Sequence, residues 1–343
     1  MSKKVGFLER LAQGPVLAAE GYLFELERRG YLQAGPYVPE VVLEHPEAVE
    51  QLHREFLRAG SDVMLALTYY AHRDKLKAIG REGDLEALNR QAVRLAHAVA
   101  QEGDALVAGD VSNTWVYDHR KPQETGELVR AMYREQIGWA AEEGVDLIVA
   151  ETLDYFGEAL IALEVSQEFD LSTVINFGSI HSTTKDGYSF AEACKILADR
   201  GADVVGLNCS RGPQTMLPLV QEIGDTLGSH PLAALPVAYR TTPQEPSFTA
   251  LRDGPRGRAF PIGLDPFQTT RFDMADFAVA GQDLGVSYIG VCCGGAPHHV
   301  RAMAEALGRT PPASRYSPDL SMHPALGDAV KERDLPYLED WKD

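Results

Sequence analysis

The sequence predicts an α/β fold, a (β/α)8 TIM barrel in which eight parallel strands alternate with helices. The first observation is a recurring pattern: an amphipathic helix, a glycine, one or two small or acidic residues, then an apolar run. The second is that these runs are short and rich in Val, Ile and Leu, as is typical of strands buried on both faces. The third is that eight such units fill roughly 310 residues, which suits a closed barrel. An open doubly wound sheet has the same alternation and stays an alternative.

The predicted strands follow helix ends or fill the gaps between them. We place them at residues 15–19, 62–68, 104–110, 145–150, 172–177, 203–208, 234–239 and 286–291. We expect a left-handed glycine to close the helix before five of them, namely Gly60, Gly103, Gly144, Gly201 and Gly285. No linker divides the chain, so we expect a barrel over residues 1–310 and a tail over residues 311–343 that covers the surface or contacts a partner chain. The Pro- and Gly-rich segment 241–263 is predicted to be a long functional loop.

The composition indicates an ordinary globular protein and argues against nucleic-acid and membrane roles. Of the 343 residues, 45% are hydrophobic, and 50 acidic against 32 basic side chains give a formal net charge of −18. Such an acidic surface repels phosphate backbones and anionic lipids. No stretch approaches the roughly 18 apolar residues of a membrane span, and the apolar run after Lys4 is too short for a signal peptide. We therefore expect a cytoplasmic protein that binds neither nucleic acid nor membrane.

Polar and reactive residues follow the predicted strands, at the end where barrel enzymes carry their active sites. In chain order they are Glu20, Gly21 and Tyr22, Tyr69 and Tyr70, Asp110, Glu151 and Thr152, Gly178 and His181, Asn208 and Cys209, Arg240, and Cys292 and Cys293. The agreement among the strands predicts one site at the C-terminal face of the barrel.

Three of the four cysteines share that face, and their position predicts a metal centre. Cys209 ends the sixth predicted strand, and Cys292 and Cys293 end the eighth, so their thiols meet at one mouth. Adjacent thiolates repel one another unless a cation neutralises them, and a thiolate-rich tetrahedral site selects zinc. A redox trio and inert packing stay as alternatives for these three cysteines. Cys194 lies within a predicted helix and is expected to be a core residue.

Three protein ligands leave a fourth position open on zinc, which is typical of a catalytic site. Because thiolate ligands donate so much charge, such a site favours holding a substrate thiol as a thiolate over activating water. The natural reaction of that thiolate is displacement at a methyl group of a sulfonium or quaternary ammonium. His298 and His299 follow the cysteines closely, but we expect them to cap the last helix or face solvent.

Two cysteine motifs give the chain a resemblance to a known family. They read Gly-Leu-Asn-Cys at residues 206–209 and Gly-Val-Cys-Cys-Gly at residues 290–294. The sequence resembles the homocysteine S-methyltransferases, which are zinc-dependent (β/α)8 barrels, and the resemblance runs from about Gly6 to Pro312. Residues 26–61 are most similar to the betaine-using branch of that family.

The resemblance implies a zinc ion (Zn2+) at the three cysteines and methyl transfer to homocysteine, which gives methionine. It also implies that Glu151 binds the homocysteine amino group and that Tyr70 lies near the metal and the donor, and we assign catalytic roles to both. The family's aspartate after the first strand is replaced by Glu20, one position later, which does the same task with a longer side chain or binds something else. Asn208 and Gly21 complete the expected substrate site.

The methyl donor is the part of the site in which the chain departs from the betaine branch. That branch has a tryptophan at the position of Tyr37 and a tyrosine at the position of Thr152, where rings help to hold a quaternary ammonium. We expect other side chains to rebuild this set, and the expected donor-binding residues are Tyr70, Tyr37, Trp115, Tyr22 and Tyr155. The predicted donor is a methylated onium compound of the betaine type. A sulfonium donor, S-methylmethionine or dimethylsulfoniopropionate, is the alternative.

Two further classes of function and the assembly state complete the predictions. A zinc hydrolase usually needs His and carboxylate ligands, and the three thiolates argue against it. A non-catalytic zinc- or thiol-binding barrel stays an alternative. The partners expected are homocysteine, the onium donor and further copies of the chain in a homo-oligomer, of an order left open because the chain stops short of the betaine branch's C-terminal extension.

Overall fold

The computed structural model describes residues 4–328 and 331–341, which form a closed (β/α)8 barrel. The parallel strands pair in chain order, and the first pairs with the eighth to close the ring. They are β1 Val16–Ala19, β2 Val63–Leu65, β3 Leu106–Ser112, β4 Leu147–Leu153, β5 Ser172–Gly178, β6 Val204–Asn208, β7 Leu232–Leu235 and β8 Val286–Val291. The barrel prediction is confirmed and the open sheet is excluded. Residues 1–3, 329–330 and 342–343, which fall within the predicted barrel and tail, lie outside the described residues.

Helices connect the strands, and the longer ones pack buried apolar side chains against the barrel. They are α1 Phe7–Gln13, α2 Tyr22–Arg28, α3 Val41–Glu44, α4 Pro46–Ala59, α5 Arg73–Ala78, α6 Leu85–Ala100, α7 Pro122–Glu142, α8 Phe156–Gln167, α9 Phe190–Asp199, α10 Pro213–Leu227, α11 Arg271–Asp283 and α12 Pro297–Ala306. In α4, for example, Val49, Leu52 and Phe56 recur at helical spacing and are fully buried. Cys194 is likewise fully buried in α9, as predicted for a core residue.

The strand boundaries match the prediction best at β8 and worst at β7. β8 spans the predicted residues 286–291, whereas β7 lies at Leu232–Leu235 instead of 234–239. The predicted strand contains Pro236, which has no N–H to give to the ladder, and β7 ends just before it. The Pro236 carbonyl accepts a hydrogen bond from the backbone N–H of Cys292 at 2.9 Å. The residue that follows β7 is therefore hydrogen-bonded to one of the predicted metal ligands.

The lower rim of the barrel, where the strands begin, explains why a polar residue follows four of the five predicted glycines by two positions. Asp62, Asp146 and Asp203 lie directly before β2, β4 and β6, and Ser287 is the second residue of β8. Each side chain accepts a hydrogen bond from a backbone N–H at the preceding strand, namely Leu17 N at 2.7 Å, Val107 N at 2.7 Å, Thr173 N at 2.8 Å and Leu232 N at 3.2 Å. The repeat thus ties every even-numbered strand to the odd-numbered strand before it.

The predicted glycine caps are correct at four positions and wrong at one. Gly60, Gly144, Gly201 and Gly285 have φ values of 107°, 83°, 95° and 85°. Gly103 does not, and the left-handed residue is its neighbour Asp104, with φ of 57°. A β-carbon on Gly103 would lie 2.9 Å from the Leu57 side chain, so this glycine is required for close packing instead.

The side chains that face the barrel interior become polar toward the upper rim, where the strands end. On β3 and β4, Asp110 is in register with Val149, and Ser112 is in register with Glu151. Because alternate residues of a strand face the same side, these four side chains share one face. Asp110 and Glu151 line a cavity at the upper rim, which identifies that face as the interior.

The segments outside the barrel strands and helices include the predicted functional loop and the tail. In the loop, Phe248 is buried and stacks on Tyr239 with ring centroids 5.9 Å apart. The tail forms short 3-10 turns at Pro312–Tyr316, Leu320–Met322 and Glu332–Trp341. Over residues 4–328 and 331–341, we find no helix with the length and apolar character needed to cross a membrane.

Candidate active site

Three thiols meet at the upper rim. The Cys293 sulfur lies 3.5 Å from that of Cys209 and 3.9 Å from that of Cys292, and all three sulfurs are within 4.8 Å of one another. Cys209 and Cys292 are buried, and Cys293 is half-buried. Backbone hydrogen bonds fix them, because Cys209 N donates to Leu235 O at 2.9 Å and Cys293 O accepts from Ala238 N at 3.0 Å. Both of these partners belong to the region where β7 ends early.

The sulfur spacing fits a metal ion. Tetrahedral zinc with zinc–sulfur bonds of about 2.3 Å separates its sulfur ligands by about 3.8 Å. The two measured separations, 3.5 and 3.9 Å, bracket this value. Hydrogen bonding with the other two thiols lowers the pKa of Cys209 well below its ordinary value, whereas burial raises the pKa of Cys292. Buried thiols this close carry repelling charges when ionised, so a cation between them is the physical condition for a trio of thiolates.

A buried amide links the two glutamates that the sequence assigns to the substrate. Asn208 Nδ2 donates to Glu151 Oε2 at 2.6 Å and to Glu20 Oε2 at 3.0 Å, and Asn208 Oδ1 accepts from Thr152 N at 2.8 Å. All of these side chains are buried. Asn208 therefore holds both carboxylates from the end of β6, directly before Cys209. Gly21 is required beside them, because a β-carbon there would lie 2.4 Å from the Gly295 carbonyl oxygen.

Asp110 is a third carboxylate of the same cavity; its position at a predicted strand end placed it at this rim, but the sequence alone assigned it no role in binding. We call this cavity the thiol pocket; it is lined by Cys209, Cys292, Cys293, Glu20, Asp110, Glu151 and Tyr69, among others. Asp110 is 4% exposed, and among the described residues neither of its carboxylate oxygens has a hydrogen-bond partner. Oε1 of Glu20 also has no hydrogen-bond partner among the described residues.

Burial and mutual repulsion both penalise the charges of these acids. Burial, followed by the charges of Glu151 and Glu20, raises the pKa of Asp110 well above its ordinary value. Burial, followed by Cys209, raises the pKa of Glu151 to about 8. Buried carboxylates with free oxygens are expensive unless a positive group binds them. The thiol pocket is therefore suited to a ligand that carries an ammonium group.

A second arrangement of possible metal ligands overlaps the first. One oxygen each from Glu20 and Glu151 and the sulfur of Cys292 also lie within 4.8 Å of one another. Asn208 already donates to both carboxylates, whereas the thiols of Cys209 and Cys293 contact mainly each other. A soft metal prefers the thiol set. His299 is not part of either set, because its Nδ1 accepts from Ala296 N at 3.1 Å and caps α12, as predicted.

The structure brings some of the expected donor-binding aromatics together and separates others. Tyr70 and Trp115 pack edge to face, with ring centroids 6.2 Å apart. Tyr155 instead packs with Tyr117 at 5.4 Å and stacks on His119 at 5.6 Å. The expected set is therefore not one cage: Tyr70 and Trp115 form one pair, and Tyr155 belongs to another cluster.

Tyr37 and Tyr22 lie apart from both of these clusters. Tyr37 stacks on Phe24 at 5.4 Å. Tyr22 borders the thiol pocket but is 1% exposed, and its hydroxyl lies 2.9 Å from Nδ1 of His53. Tyr69, which the sequence did not predict to bind a ligand, lines the pocket of the thiols. Its ring lies 4.2 Å from that of Tyr70.

Strained backbone concentrates at the upper rim. Among the described residues, eight other than glycine have φ above zero. Tyr70, Trp115, Cys209 and Ser210 lie in loops that follow strands, Thr152 lies near the end of β4, and Tyr37 lies between α2 and α3. Such conformations cost about 1–3 kcal/mol each and cluster at functional sites. Nothing in the sequence signals them, because none of these residue types favours this region as glycine does.

Comparison with known proteins shows which family the chain resembles. Residues 21–307 match the family described as homocysteine S-methyltransferase. The chain is 38% identical to betaine–homocysteine S-methyltransferase 1 from Xenopus laevis, over 98% of this chain and 83% of that protein. It is 36% identical to an S-methylmethionine–homocysteine S-methyltransferase from Pongo abelii, over 98% of this chain and 90% of that protein. The names of these two relatives give different methyl donors at similar identity.

A solved structure has the same fold. The metallated form of the homocysteine methyltransferase MmuM from Escherichia coli superimposes with a TM-score of 0.67 and 22% sequence identity. The match covers 85% of this chain and 96% of that one. It shows that the two chains share a fold.

Proposed function

The chain belongs to the homocysteine S-methyltransferase family, and we propose that it methylates homocysteine at the thiol pocket with a betaine-type onium donor and a zinc ion. Methyl transfer to homocysteine, giving methionine, is the activity of the family. The observation that carries the proposal is that three thiols at metal-site spacing and three buried carboxylates line the same pocket. One set suits a zinc ion and the other suits the ammonium group of an amino acid.

Cys209, Cys292 and Cys293 would hold the zinc ion. When bound there, zinc supplies a Lewis acid that keeps a substrate thiol in its thiolate form at neutral pH. The same three thiols as a redox trio would need to approach bonding distance, about 2.05 Å, and their separations of 3.5 and 3.9 Å favour the metal.

The carboxylates would orient homocysteine. Glu151 and Glu20 are held by Asn208 with one oxygen each, and Asp110 and the second oxygen of Glu20 face the pocket without a partner among the described residues. An ammonium group placed among them gains charge-assisted hydrogen bonds. The amino acid is then fixed at the end opposite to its sulfur, so the sulfur points toward the thiols.

The methyl transfer itself is a direct displacement. A bond forms between the homocysteine sulfur and the methyl carbon, the nitrogen–methyl bond breaks, and its electron pair stays on nitrogen. Over the whole reaction the thiol proton passes to the amine, so the products are methionine and the demethylated donor. Tyr69 and Tyr70, at the edge of the pocket, would position the onium and exclude water, and positioning supplies most of the rate.

Three broader predictions belong to the same proposal. We propose a homo-oligomer, a cytoplasmic location, and a division into a barrel over residues 1–310 and a tail over residues 311–343. Exposed apolar side chains in the tail, such as Tyr316, Leu320 and Met322, support a contact with a second copy.

Metal analysis combined with a donor panel tests the proposal. The purified protein is assayed for zinc content and for methionine formation from homocysteine with glycine betaine, dimethylsulfoniopropionate and S-methylmethionine. We expect stoichiometric zinc and turnover with glycine betaine. Cys292→Ala should lose both, whereas Cys194→Ala, which removes a buried thiol from α9, should keep both. Methyl transfer that survives in Cys292→Ala would contradict the proposal.

A further inference from the structure

Lys75 places an ammonium group on the aromatic pair at the edge of the site. It lies in α5, and its Nζ is 3.6 Å from the ring centroid of Trp115 and 4.6 Å from that of Tyr70. Within the described part of the chain this ammonium forms no ion pair, although the charge of its neighbour Asp74 attracts it. Lys185, on the neighbouring rim, differs in this respect, because it pairs with Asp154 at 2.7 Å.

The backbone holds this arrangement in place. Tyr70 and Trp115 both have left-handed φ values, 59° and 62°, and Trp115 is 67% exposed. A large aromatic ring that a strained backbone holds in solvent contributes little to the packing of the core, which favours a role in binding. Behind Trp115, Glu158 accepts hydrogen bonds from Thr114 N at 2.8 Å and Thr114 Oγ1 at 2.6 Å, so a buried residue anchors the loop that presents the ring.

The charges around the site change sign from the inside to the edge. Inside are Glu20, Asp110, Glu151 and the three thiols, all of which are acidic groups. At the edge is the positively charged Lys75, which forms no ion pair among the described residues. The acidic groups there are Asp74, whose charge acts on Lys75, and Asp154, which pairs with Lys185. Tyr69 connects the two regions, because it lines the thiol pocket and its ring lies 4.2 Å from that of Tyr70. A ligand with separated charges would therefore align with its positive end inward and its negative end at Lys75.

We propose that Lys75 binds the carboxylate of the methyl donor and so selects zwitterionic onium donors. This rests on the proposed function. In this orientation the positive onium group faces the acidic pocket, with a methyl directed at the sulfur, and the negative carboxylate lies at Lys75. Glycine betaine and dimethylsulfoniopropionate have this pattern. S-Methylmethionine carries an ammonium group beside its carboxylate, and Lys75 repels that group.

The test compares two ligands that share an onium group and differ in the carboxylate. Glycine betaine and tetramethylammonium are each titrated calorimetrically into the zinc-loaded protein saturated with homoserine, the oxygen analogue of homocysteine, so that the titration measures binding without turnover. Lys75→Met keeps the apolar stem and removes the charge. Its matched control is Lys77→Met, two residues further along α5, which changes an exposed lysine.

We expect Lys75→Met to weaken glycine betaine about tenfold and tetramethylammonium less than twofold, the range of one partly buried charged contact. Lys75→Arg should restore most of the betaine affinity, and Lys77→Met should change neither ligand. Equal effects on both ligands, or no effect on betaine, would overturn the proposal. Tighter betaine binding in Lys75→Met would also overturn it, because Lys75 would then compete for the rings. Failure of the wild-type protein to form methionine from any donor would instead refute the proposed function, and the binding comparison would still decide the role of Lys75.

Discussion

The two ends of the barrel use acidic residues in opposite ways. At the lower rim, Asp62, Asp146 and Asp203 each accept a backbone N–H at 2.7–2.8 Å. At the upper rim, both oxygens of Asp110 and one oxygen of Glu20 have no partner within the described residues. The lower carboxylates complete hydrogen bonds that the sheet would otherwise leave open. Those carboxylate oxygens at the upper rim themselves lack hydrogen-bond partners among the described residues.

This difference separates stability from function within one fold. A satisfied carboxylate at a strand end stabilises the folded chain, because it pairs a backbone donor that would otherwise lack a partner. A buried and unsatisfied carboxylate destabilises the folded chain until a ligand arrives. Strained residues follow the same division, since six of the eight that occur in residues 4–328 and 331–341 lie around the upper opening. The strained residues and unpaired carboxylates of the upper rim are unfavourable for folding, and the hydrogen-bonded lower part of the barrel keeps them in place.

Among substitutions that test this difference between the rims, we expect the largest effect at Glu151. Glu151→Gln keeps the hydrogen bond with Asn208 but removes the charge that the substrate ammonium needs. We expect kcat/KM for homocysteine to fall about 100-fold, the value of a buried charged hydrogen bond. The free energy of unfolding should stay equal or rise, because a buried acidic group is removed. Steady-state kinetics and urea unfolding measure the two effects.

The matched control for this variant is Glu124→Gln, at the exposed start of α7. It makes the same chemical change away from the pocket, and both quantities should remain at their wild-type values. A Glu151→Gln enzyme that loses stability while keeping kcat/KM would show that the upper carboxylate is structural. The comparison between the two rims would then fail.

The second prediction concerns the pH dependence of stability at Glu158, near the upper rim. Burial raises the pKa of Glu158 from 4.5 to about 7. Between these pH values the unfolded chain has released a proton that the folded chain retains, so the contribution of Glu158 to stability is lost as the pH rises. The loss reaches about 3 kcal/mol above the folded pKa, at about 1.4 kcal/mol per unit.

Glu158→Gln removes this titration and keeps an acceptor for Thr114. The difference in unfolding free energy between variant and wild type, measured by urea unfolding at several pH values, should grow in favour of the variant from about pH 4.5 to 7 and then stay constant. Other titrating groups occur in both proteins and cancel in this difference. A difference that does not change with pH would mean that Glu158 is already ionised in the folded chain.

The sequence was sufficient for the parts of the molecule that depend on local patterns. The repeated unit of helix, glycine and apolar run predicts five of the strands, and apolar runs in the gaps predict the other three. β8 lies at its predicted residues. The assignment of Cys209, Cys292 and Cys293 to strand ends is enough to expect their thiols in one place. β7 was misplaced because its apolar pattern continues through Pro236, although the strand ends just before this proline.

The rest of the site depends on distances between loops that no local pattern encodes. Asp110 follows a strand like many other polar residues, and its lack of partners appears only once the barrel is closed. Lys75 reaches two rings because Tyr70 and Trp115 adopt left-handed backbone conformations that their side chains do not favour. Of the expected donor-binding aromatics, Tyr22, Trp115 and Tyr155 were chosen by the strand they follow, and Tyr37 and Tyr70 by the family resemblance. The strand criterion gives the correct rim but not the correct neighbours.

The smallest expected effect is at the lower rim. Asp203→Ala removes the acceptor for Thr173 N and leaves that N–H of the sheet without its partner. We expect the free energy of unfolding to fall by about 1–3 kcal/mol, while KM and kcat stay at their wild-type values. Asp203→Asn retains a side-chain oxygen and should lose less than half as much. If Asp203→Ala instead lowered kcat at unchanged stability, the lower rim would share the catalytic role of the upper one, and satisfaction of the carboxylates would no longer distinguish the two ends of the barrel.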